Sequence, residues 1–265
     1  MRNIKLIIEY DGTAYAGWQI QNRAHHGLTT SEPHQKKTIQ EVLEKTLQQI
    51  LQEKVKVIGS GRTDAGVHAL AQAANFHTHT RFSLQKIKKA LNSLLPKDIG
   101  IRNIFQADIG FNSCSSARSK MYRYCILHCS FSSPFLERYA WGIPYELDIP
   151  LMKKEARVLL GKHDFSSFCA SATGVKSRIR TIKRISVKKT ISCQLLAVRR
   201  PLLIIEIEAD GFLYTMVRTI VGTLVEVGRG KLPRGSLRKI LLAKDRRLAG
   251  RTAPAHGLFL VRVKY

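Results

Sequence analysis

Three things are scarce in this chain of 265 residues: paired cysteines, long apolar runs and acidic side chains. The five cysteines are odd in number and include no Cys-x-x-Cys pair, which argues against a disulfide scaffold. The histidines show no metal-ligand spacing. No apolar stretch is long enough to span a bilayer, and the first residues lack the apolar block of a signal peptide. We therefore expect a soluble, cytoplasmic protein with reduced thiols and no metal.

Acidic side chains number 19 Asp and Glu against 44 Lys and Arg, which gives a formal net charge of +25. That excess is larger than solubility requires, so it predicts a polyanionic partner. The basic residues are spread along the chain and are not gathered on one amphipathic helix or tail, which favours nucleic acid over a membrane surface. A generally basic protein without such a partner is the weaker alternative.

The hydrophobic content of 44% is enough for one large core or two smaller ones. Strand-like and helix-like patterns follow the same rough order twice, with no repeat in the sequence itself. We predict an α+β fold of two tandem ferredoxin/RRM-like halves, residues 1–108 and 109–265. Their strands would form a continuous mixed, mainly antiparallel sheet with helices on one side and a central basic cleft.

The first half predicts two helices and four strands. Thr38-Ile39-Gln40-Glu41 is a capping box that begins the first helix, and Ser83 caps the second, which Pro96 ends. The polar stretch 19–37 predicts a mobile loop or an RNA-contacting arm. The strands are predicted at residues 4–10, 55–58, 71–76 and 99–105.

The second half predicts three helices and four strands. A helix over residues 150–160 is ended by Gly161, the longest helical pattern covers 212–227, and a third helix begins near Ser236. The strands are predicted at residues 122–127, 178–187, 202–207 and 258–263.

The loop 59–69, at the end of a predicted strand, is the most unusual stretch of the chain. Its three glycines indicate a backbone that turns sharply or lets a bulky ligand approach. The loop is not a Walker A motif, because no Gly-Lys-Ser/Thr follows the glycines, and it is not a dinucleotide fingerprint, because Asp64 stands where the third glycine is due. A hairpin with a surface ion pair between Arg62 and Asp64 is the plain alternative.

A carboxylate at the centre of so basic a chain calls for an explanation. Arg62 favours the charged form of Asp64, and an ionised carboxylate presented to RNA acts as a nucleophile or as a base. Arg218 falls on the apolar face of the 212–227 helix. It either snorkels to the edge of that helix or meets a buried partner, and Asp64 is one candidate for the partner.

Aromatic residues alternate with a cation on the strand predicted at 122–127. Tyr122 and Tyr124 share one face of that strand, and Arg123 points to the other. Tyrosines on a strand of a basic protein are a familiar way to stack unpaired bases, although core packing is the usual role of a strand tyrosine.

Weaker signals lie elsewhere. Trp18 and Gln19 follow the first predicted turn, and Arg178 and Arg180 open a basic run that predicts a phosphate-contacting face. His163-Asp164-Phe165 looks like part of a catalytic triad, but no Ser or Cys elbow accompanies it, so a structural turn is the preferred interpretation.

The loop reads Gly61-Arg62-Thr63-Asp64-Ala65-Gly66-Val67-His68-Ala69, which resembles the signature of the tRNA pseudouridine synthase A family. The likeness extends in order over nearly the whole chain. Its further motifs are Tyr10-Asp11-Gly12-Thr13 with Gly17-Trp18-Gln19, Tyr122-Arg123-Tyr124, Gly161-Lys162-His163-Asp164-Phe165, Met216-Val217-Arg218 with Ile220-Val221-Gly222, and Ala253-Pro254-Ala255-His256-Gly257-Leu258.

The resemblance implies isomerisation of uridine to pseudouridine at positions 38, 39 and 40 of the tRNA anticodon stem-loop, by a homodimer without metal or nucleotide cofactor. Asp64 would attack the flipped-out uridine at the ring C6 or the ribose C1′, a choice that the sequence leaves open. Arg62 would hold the place of the flipped nucleotide, Tyr122 would stack on the target base and serve the C5 deprotonation, and Arg218 would pair with Asp64. The basic face and the stacking ring would supply the few kcal/mol that flipping costs.

The residues expected to contact the RNA are Tyr122, Arg123, Gly61, Thr63, Trp18, Gln19, Arg178 and Arg180. The chain departs from the family at Phe111-Asn112-Ser113-Cys114, where the family tends to show Phe-His-Ala-Arg, and in a longer stretch at 23–37. Two other functions stay open. One is a non-catalytic RNA-binding or ribosome-assembly protein, which would not need Asp64, and the other is a pseudouridine synthase of the same fold that acts at other positions or on other RNAs.

Overall fold

Two compact units make up the chain in the computed structural model. The described residues are 1–20, 36–129, 134–170, 175, 177–191 and 201–265. Unit 1 is Met1–Ala117 together with Leu260–Val263 and Tyr265, and unit 2 is Arg118–Phe259 together with Lys264. The division into domains at residues 108 and 109 stays a prediction, and most of the polar stretch 19–37 lies outside the described residues.

Unit 1 contains strands β1 to β4 and two helices. Their bounds are β1 Arg2–Tyr10, α1 Ile39–Leu51, β2 Ile58–Gly59, β3 His68–Thr78, α2 Leu84–Leu94 and β4 Ile99–Ala107. Strand β1 lies between β4 and β3 and pairs antiparallel with both, and β2 adds a short antiparallel pairing to β3.

Unit 2 contains three helices and strands β5 to β9, and strand β10 is divided between the two units. Their bounds are β5 Ser119–His128, β6 Trp141–Ile143, α3 Ile149–Ala156, β7 Gly161–Asp164, β8 Ile179–Ile191, β9 Pro201–Ala209, α4 Met216–Gly228, α5 Ser236–Ala243 and β10 Leu258–Lys264. Strands β5, β9, β8 and β7 pair antiparallel in that order, and β6 pairs parallel with β5. The class is therefore α+β, with a mixed, mostly antiparallel open sheet and five α-helices in the described residues.

Each unit has an apolar core built from the periodicity of its elements. Alternate residues of β1 turn inward, so that Ile4, Leu6 and Ile8 are fully buried, and α1 and α2 add residues at helical spacing. In unit 2 the core contains Ile205 and Ile207 of β9. Full burial of one such side chain contributes about 1.5–3 kcal/mol. No helix in the described part of the chain is long and apolar enough to cross a membrane.

The predicted helix caps of unit 1 are confirmed. The Thr38 hydroxyl accepts a hydrogen bond from the Glu41 amide at 3.2 Å, and the Ser83 hydroxyl accepts one from the Lys86 amide at 3.2 Å. Each bond satisfies one of the amides that a helix start leaves without a partner. Caps of this kind are local, which is why the sequence alone predicts them.

The long helix of unit 2 begins later than predicted. The apolar pattern predicts a start at residue 212, but α4 begins at Met216, because Thr215 has a left-handed backbone with φ of 60°. The helical prediction at 150–160 is also too long. Helix α3 ends at Ala156 and continues as a 3₁₀ turn over Arg157–Leu159, as the last turn of a helix often does.

The strand predicted at 55–58 is wrong for most of its length. Only Ile58 of these residues lies in a strand, in β2. Side chains of α1 take the backbone groups of Val57 instead: Glu44 accepts from its amide at 2.9 Å, and Gln40 donates to its carbonyl at 3.2 Å. The strands predicted at 71–76 and 178–187 are present but longer, as β3 and β8.

Candidate active site and nucleic-acid interface

The loop that carries Asp64 runs from the end of β2 into β3. The Val67 amide donates to the Asp64 carbonyl at 3.1 Å and closes a tight turn. Gly66 occupies its third position with φ of +77°, the value that a type II turn requires there. Asp64 is therefore the first residue of a defined turn, and its side chain is half-buried.

Close packing explains a second glycine of the loop. Gly59 has no room for a β-carbon, which would overlap the indole of Trp18. That indole is only 2% exposed, so the structure places Trp18 as a packing residue beneath the loop. The Trp18 amide donates to the Thr63 carbonyl at 3.1 Å.

Arg62 is held on the exposed side of the same loop. Its Nε donates to the side-chain carbonyl of Gln19. The structure therefore brings together four residues that the sequence singled out, namely Trp18, Gln19, Arg62 and Thr63. Their proposed contacts with RNA stay predictions.

The start of α1 fixes the segment that carries Trp18 and Gln19. The amides of Ile39 and Gln40 donate to the carbonyls of Gly17 and Trp18 at 3.1 and 3.0 Å. These are the amides that the first turn of a helix leaves unsatisfied. Gly17 has φ of +94°, and a β-carbon on it would lie 2.5 Å from the Thr63 carbonyl oxygen. A helix start and a glycine thus position the segment against the loop.

A buried hydrogen-bond network, which the sequence did not reveal, supports the loop from below. The Tyr10 hydroxyl is 2.8 Å from the Thr63 hydroxyl. Gln72, fully buried on β3, accepts from the Ser60 hydroxyl at 2.6 Å and donates to the Gly61 carbonyl at 2.9 Å. Burial raises the pKa of the Tyr10 phenol above its ordinary value, so it stays protonated and able to donate.

The turn after β1 packs against the C-terminal end of the loop. A β-carbon on Gly12 would overlap the Val67 carbonyl, and the Gly12 amide donates to Nδ1 of the buried His68 at 3.1 Å. Asp11 Oδ1 lies 3.1 Å from the same nitrogen and accepts from the Thr13 amide at 2.9 Å. Both ends of the loop are therefore clamped to the strand ends of unit 1.

In unit 2 the predicted alternation on β5 is confirmed. Tyr122 and Tyr124 are buried, while Arg123 points the other way and reaches Glu206 opposite it on β9, at 2.7 and 3.0 Å. The Tyr122 ring meets Phe212 edge to face, with centroids 5.1 Å apart. Phe212 lies ahead of α4, so the late start of that helix leaves this ring to pack on Tyr122.

Arg218 lies in the first turn of α4 and is bound to one segment of the chain. Its Nε donates to the Ala253 carbonyl at 2.7 Å, and the Ala253 amide donates to the Arg218 carbonyl at 3.1 Å. The guanidinium is therefore oriented by the backbone of residue 253 and does not simply snorkel. The pairing of Arg218 with Asp64 stays a prediction.

The basic residues that open β8 differ in exposure. Arg178 is exposed, whereas Arg180 folds back and donates to the carbonyls of Ser177 and Ile179 at 3.0 and 2.6 Å. Their role in phosphate contact stays a prediction. In the neighbouring strand Asp164 accepts from the Ser166 amide at 2.9 Å, which is a structural turn of the kind that the sequence favours.

The segment that departs from the family pattern is anchored in unit 1. The Asn112 side chain accepts from the Cys114 amide at 2.9 Å, and the amide of the buried Ser113 donates to Asn75 at 2.8 Å. Cys114 itself is exposed, so no cation stands at this position of the surface.

Comparisons with known proteins agree with these motifs. The model of a family described as tRNA pseudouridine synthase matches residues 6–111 and 156–265. The tRNA pseudouridine synthase A of Thermoanaerobacter sp. (strain X514) is 44% identical, with 100% of both chains covered. That of Acetivibrio thermocellus is 42% identical with the same coverage, and that of Geobacillus kaustophilus is 42% identical over 100% of this chain and 95% of its own. The chain therefore belongs to the tRNA pseudouridine synthase family and is an isomerase that acts on uridine in tRNA.

Proposed function

We propose that the protein converts uridine to pseudouridine at positions 38, 39 and 40 of the tRNA anticodon stem-loop, with Asp64 as the nucleophile on a flipped-out uridine. The observation that carries the proposal is the clamping of the loop. Tyr10, Gln72 and Gly17 fix the backbone on the N-terminal side of Asp64, and the turn closed by Val67 fixes it on the other side. A pre-positioned carboxylate is what attack on a bound nucleotide requires.

The reaction needs one bond to be exchanged. The glycosidic bond from C1′ to N1 breaks, a bond from C1′ to C5 forms, the C5 proton leaves and N1 gains a proton. Attack of Asp64 at the ring C6 or at the ribose C1′ both allow the freed base to rotate and rejoin. The reaction is an isomerisation with no net gain or loss of electrons, so it needs no redox cofactor. We propose that it needs no metal or nucleotide cofactor either, as the family resemblance implies, and we expect activity to survive dialysis against EDTA.

The roles proposed for the other residues of the loop are those that the family resemblance implies. Arg62 is proposed to hold the place of the flipped nucleotide, with Gly61, Thr63, Trp18 and Gln19 around it. The support is that Gln19 already orients the Arg62 guanidinium.

Residues of unit 2 complete the proposal. Tyr122 would stack on the target base and serve the C5 deprotonation, and Arg218 would be the counter-charge of Asp64. The support is that Phe212 and Ala253 hold these two side chains in defined orientations. Further contacts of Arg123, Arg178 and Arg180 with RNA belong to the same proposal, as does a fold of two tandem ferredoxin/RRM-like halves with a central basic cleft.

Release of tritium from tRNA that contains [5-³H]uridine tests the nucleophile. We expect Asp64→Asn to abolish release while tRNA binding is retained, because the amide keeps the shape of the side chain but is not nucleophilic. Asp108→Asn is the matched control, since Asp108 is an exposed carboxylate in the same unit. Tritium release by Asp64→Asn at the rate of the control would defeat the catalytic assignment.

Positions are tested separately with three tRNA transcripts that each keep a single uridine at 38, 39 or 40. We expect all three to be modified and a transcript with none of them to be unmodified. If only other positions were modified, we would conclude that the protein is a pseudouridine synthase with a different position specificity. We further propose that the protein is cytoplasmic and forms a homodimer. Sedimentation equilibrium of the free protein tests the dimer.

A further inference from the structure

Two arginines of unit 2 converge on one tyrosine and one carboxylate, away from the residues discussed so far. The Arg251 guanidinium lies over the Trp141 ring, 4.7 Å from its centroid, and the Arg229 guanidinium lies over the Tyr145 ring at 4.4 Å. Both donate weakly to the Tyr145 hydroxyl, at 3.4 and 3.5 Å. We call Arg229 and Arg251 the arginine pair.

The acid beside the pair only partly satisfies it. Glu226 Oε1 lies 3.6 Å from the nearest nitrogen of Arg229 and 3.8 Å from that of Arg251, both longer than a good charge-assisted hydrogen bond. By contrast, Asp245 chelates Arg247 with three bonds of 2.7 to 3.0 Å. Two guanidinium groups against one carboxylate leave one excess positive charge.

Exposure separates the members of the cluster. The Arg251 side chain is 57% exposed, while that of Glu226 is 13% exposed. The acid therefore lies beneath the pair, and the outer side presents guanidinium groups that still have donors to give. Planar guanidinium groups fixed on aromatic faces lose little freedom when they bind a phosphate bidentately.

The pair is connected to Arg218 through the backbone. The Arg251 carbonyl packs on Gly222 of α4, where a β-carbon would overlap it. Ala253, two residues further along, exchanges two hydrogen bonds with Arg218. Two residues of chain span at most about 7 Å. The segment that positions Arg218 therefore also positions Arg251 of the arginine pair.

We propose that the arginine pair binds a phosphodiester group of the tRNA backbone. The inference rests on tRNA being the substrate, as in the proposed function, and it is independent of which uridine is modified. The guanidinium fork suits a phosphate and a carboxylate equally, but the net charge of +25 on the whole chain favours a polyanion, so a phosphodiester is the better fit. The pair fixes the register of the tRNA and carries no base specificity.

Salt-dependent binding of full-length tRNA tests the site. We expect Arg251→Ala to weaken binding about five-fold and to lower the slope of log K against log salt by about one, since one phosphate contact is lost. Arg251→Lys keeps the charge but loses the planar fork, so we expect it to weaken binding about three-fold. Measurement in the Asp64→Asn background gives the same ratios and removes turnover from the readout.

Arg247→Ala is the matched control, because Asp245 already neutralises this highly exposed arginine. We expect its binding and slope to equal those of the parent protein. An unchanged slope in Arg251→Ala, or an equal loss in Arg247→Ala, would overturn the site. Wild-type binding by Arg251→Lys would also overturn it, because general attraction alone would then account for the affinity. If uridines 38–40 were not modified but these binding ratios were observed, the proposed function would fail while the phosphate site at the arginine pair would stand.

Discussion

The loop of unit 1 and the segment 250–257 of unit 2 are anchored in contrasting ways. The buried side chains of Gln72 and Tyr10 bond to the loop from below, and the glycines that touch its backbone, Gly12 and Gly17, lie outside it. The segment in unit 2 also has side-chain bonds, from Arg218 and Tyr124, but it adds close contacts at glycines of its own: Gly250 touches backbone atoms of α4, and Gly257 lies against the Tyr124 ring. A substitution can remove one side-chain anchor and leave the others in place. Backbone contacts are lost together, because a change at one of them displaces the whole segment.

A shared feature sharpens the contrast. A buried tyrosine hydroxyl bonds each of the two: Tyr10 bonds the Thr63 hydroxyl of the loop at 2.8 Å, and Tyr124 donates to the Pro254 carbonyl of the segment in unit 2 at 2.8 Å. The first partner is a hydroxyl that rotates to a new acceptor, while the second is a fixed carbonyl. The bond beneath the loop is therefore the more adaptable of the two tyrosine bonds, although other contacts also hold the loop.

The largest effect is expected from Gly222→Ala. The new methyl group would overlap the Arg251 carbonyl, a backbone atom that does not move alone, so we expect a loss of at least about 3 kcal/mol in the free energy of unfolding. Urea denaturation measures it. Gly100→Ala is the control, because no atom lies within 4 Å of its added methyl group, and its change should stay below about 1 kcal/mol. Equal stability of the two variants would refute the backbone contact.

Gln72→Leu breaks the side-chain network of the loop. It leaves the Ser60 hydroxyl and the Gly61 carbonyl without their partner, so we expect a loss of about 2 kcal/mol and a fall in kcat of about ten-fold or more, with KM little changed. Adding Ser60→Ala should recover part of the stability, because one orphaned group is then removed. A rise in KM at constant kcat would mean that Gln72 does not position the loop for the proposed reaction of Asp64.

The tyrosine hydroxyls are expected to have smaller effects. Tyr10→Phe and Tyr124→Phe should each cost about 1 kcal/mol, with Tyr124→Phe the larger because the Pro254 carbonyl cannot reorient. The double variant should lose the sum within about 0.5 kcal/mol, since the two bonds share no partner. Thermal denaturation of the three proteins checks this order, and the reverse order would mean that Thr63 is no more adaptable than the carbonyl.

The smallest effect appears only at alkaline pH. Burial raises the pKa of the Tyr265 phenol in unit 1 to about 12 and that of the Cys125 thiol in unit 2 to about 11. In both groups the folded state favours the protonated form, so their contribution to stability is complete below the unfolded pKa and is lost as the pH rises through the folded one. We expect the free energy of unfolding to decline above about pH 9, and first through Cys125.

Single variants separate the two groups. Cys125→Ala should flatten the earlier part of the decline, between about pH 9 and 11, and Tyr265→Phe the later part, above about pH 10. Urea denaturation at intervals of pH measures both. A decline that is identical in all three proteins would assign it to other groups.

Local signals in the sequence were sufficient for some of this structure. The caps at Thr38 and Ser83 depend on residues three positions apart, and the alternation of Tyr122 and Arg123 needs only a strand. The strand at 55–58 was mispredicted because Gln40 and Glu44 of α1 claim its backbone, a contact that no local pattern shows. The start of α4 was misplaced because the apolar spacing continues through Thr215. Periodicity gives no sign of the left-handed backbone at that residue.

The site was visible in outline and hidden in its support. Glycines around Asp64 mark the loop, and the signature identifies its family. Gln72 escaped notice, and Ala253 entered only as part of a family motif with no role of its own, because an inward glutamine on a strand and an alanine in a loop look ordinary until their partners are known. Their partners lie 11 and 35 residues away in the chain, at Gly61 and Arg218.

The membership of β10 has a consequence for the order of synthesis. Leu260–Val263 and Tyr265 belong to unit 1, where the Tyr265 hydroxyl donates to the Ser113 carbonyl at 3.0 Å and Lys5 lies over its ring. Because synthesis runs from the N-terminus, every residue of unit 2 except Lys264 precedes these last pieces of the unit that carries Asp64. Unit 1 therefore cannot complete its own fold until Phe259 of unit 2 has been added to the chain.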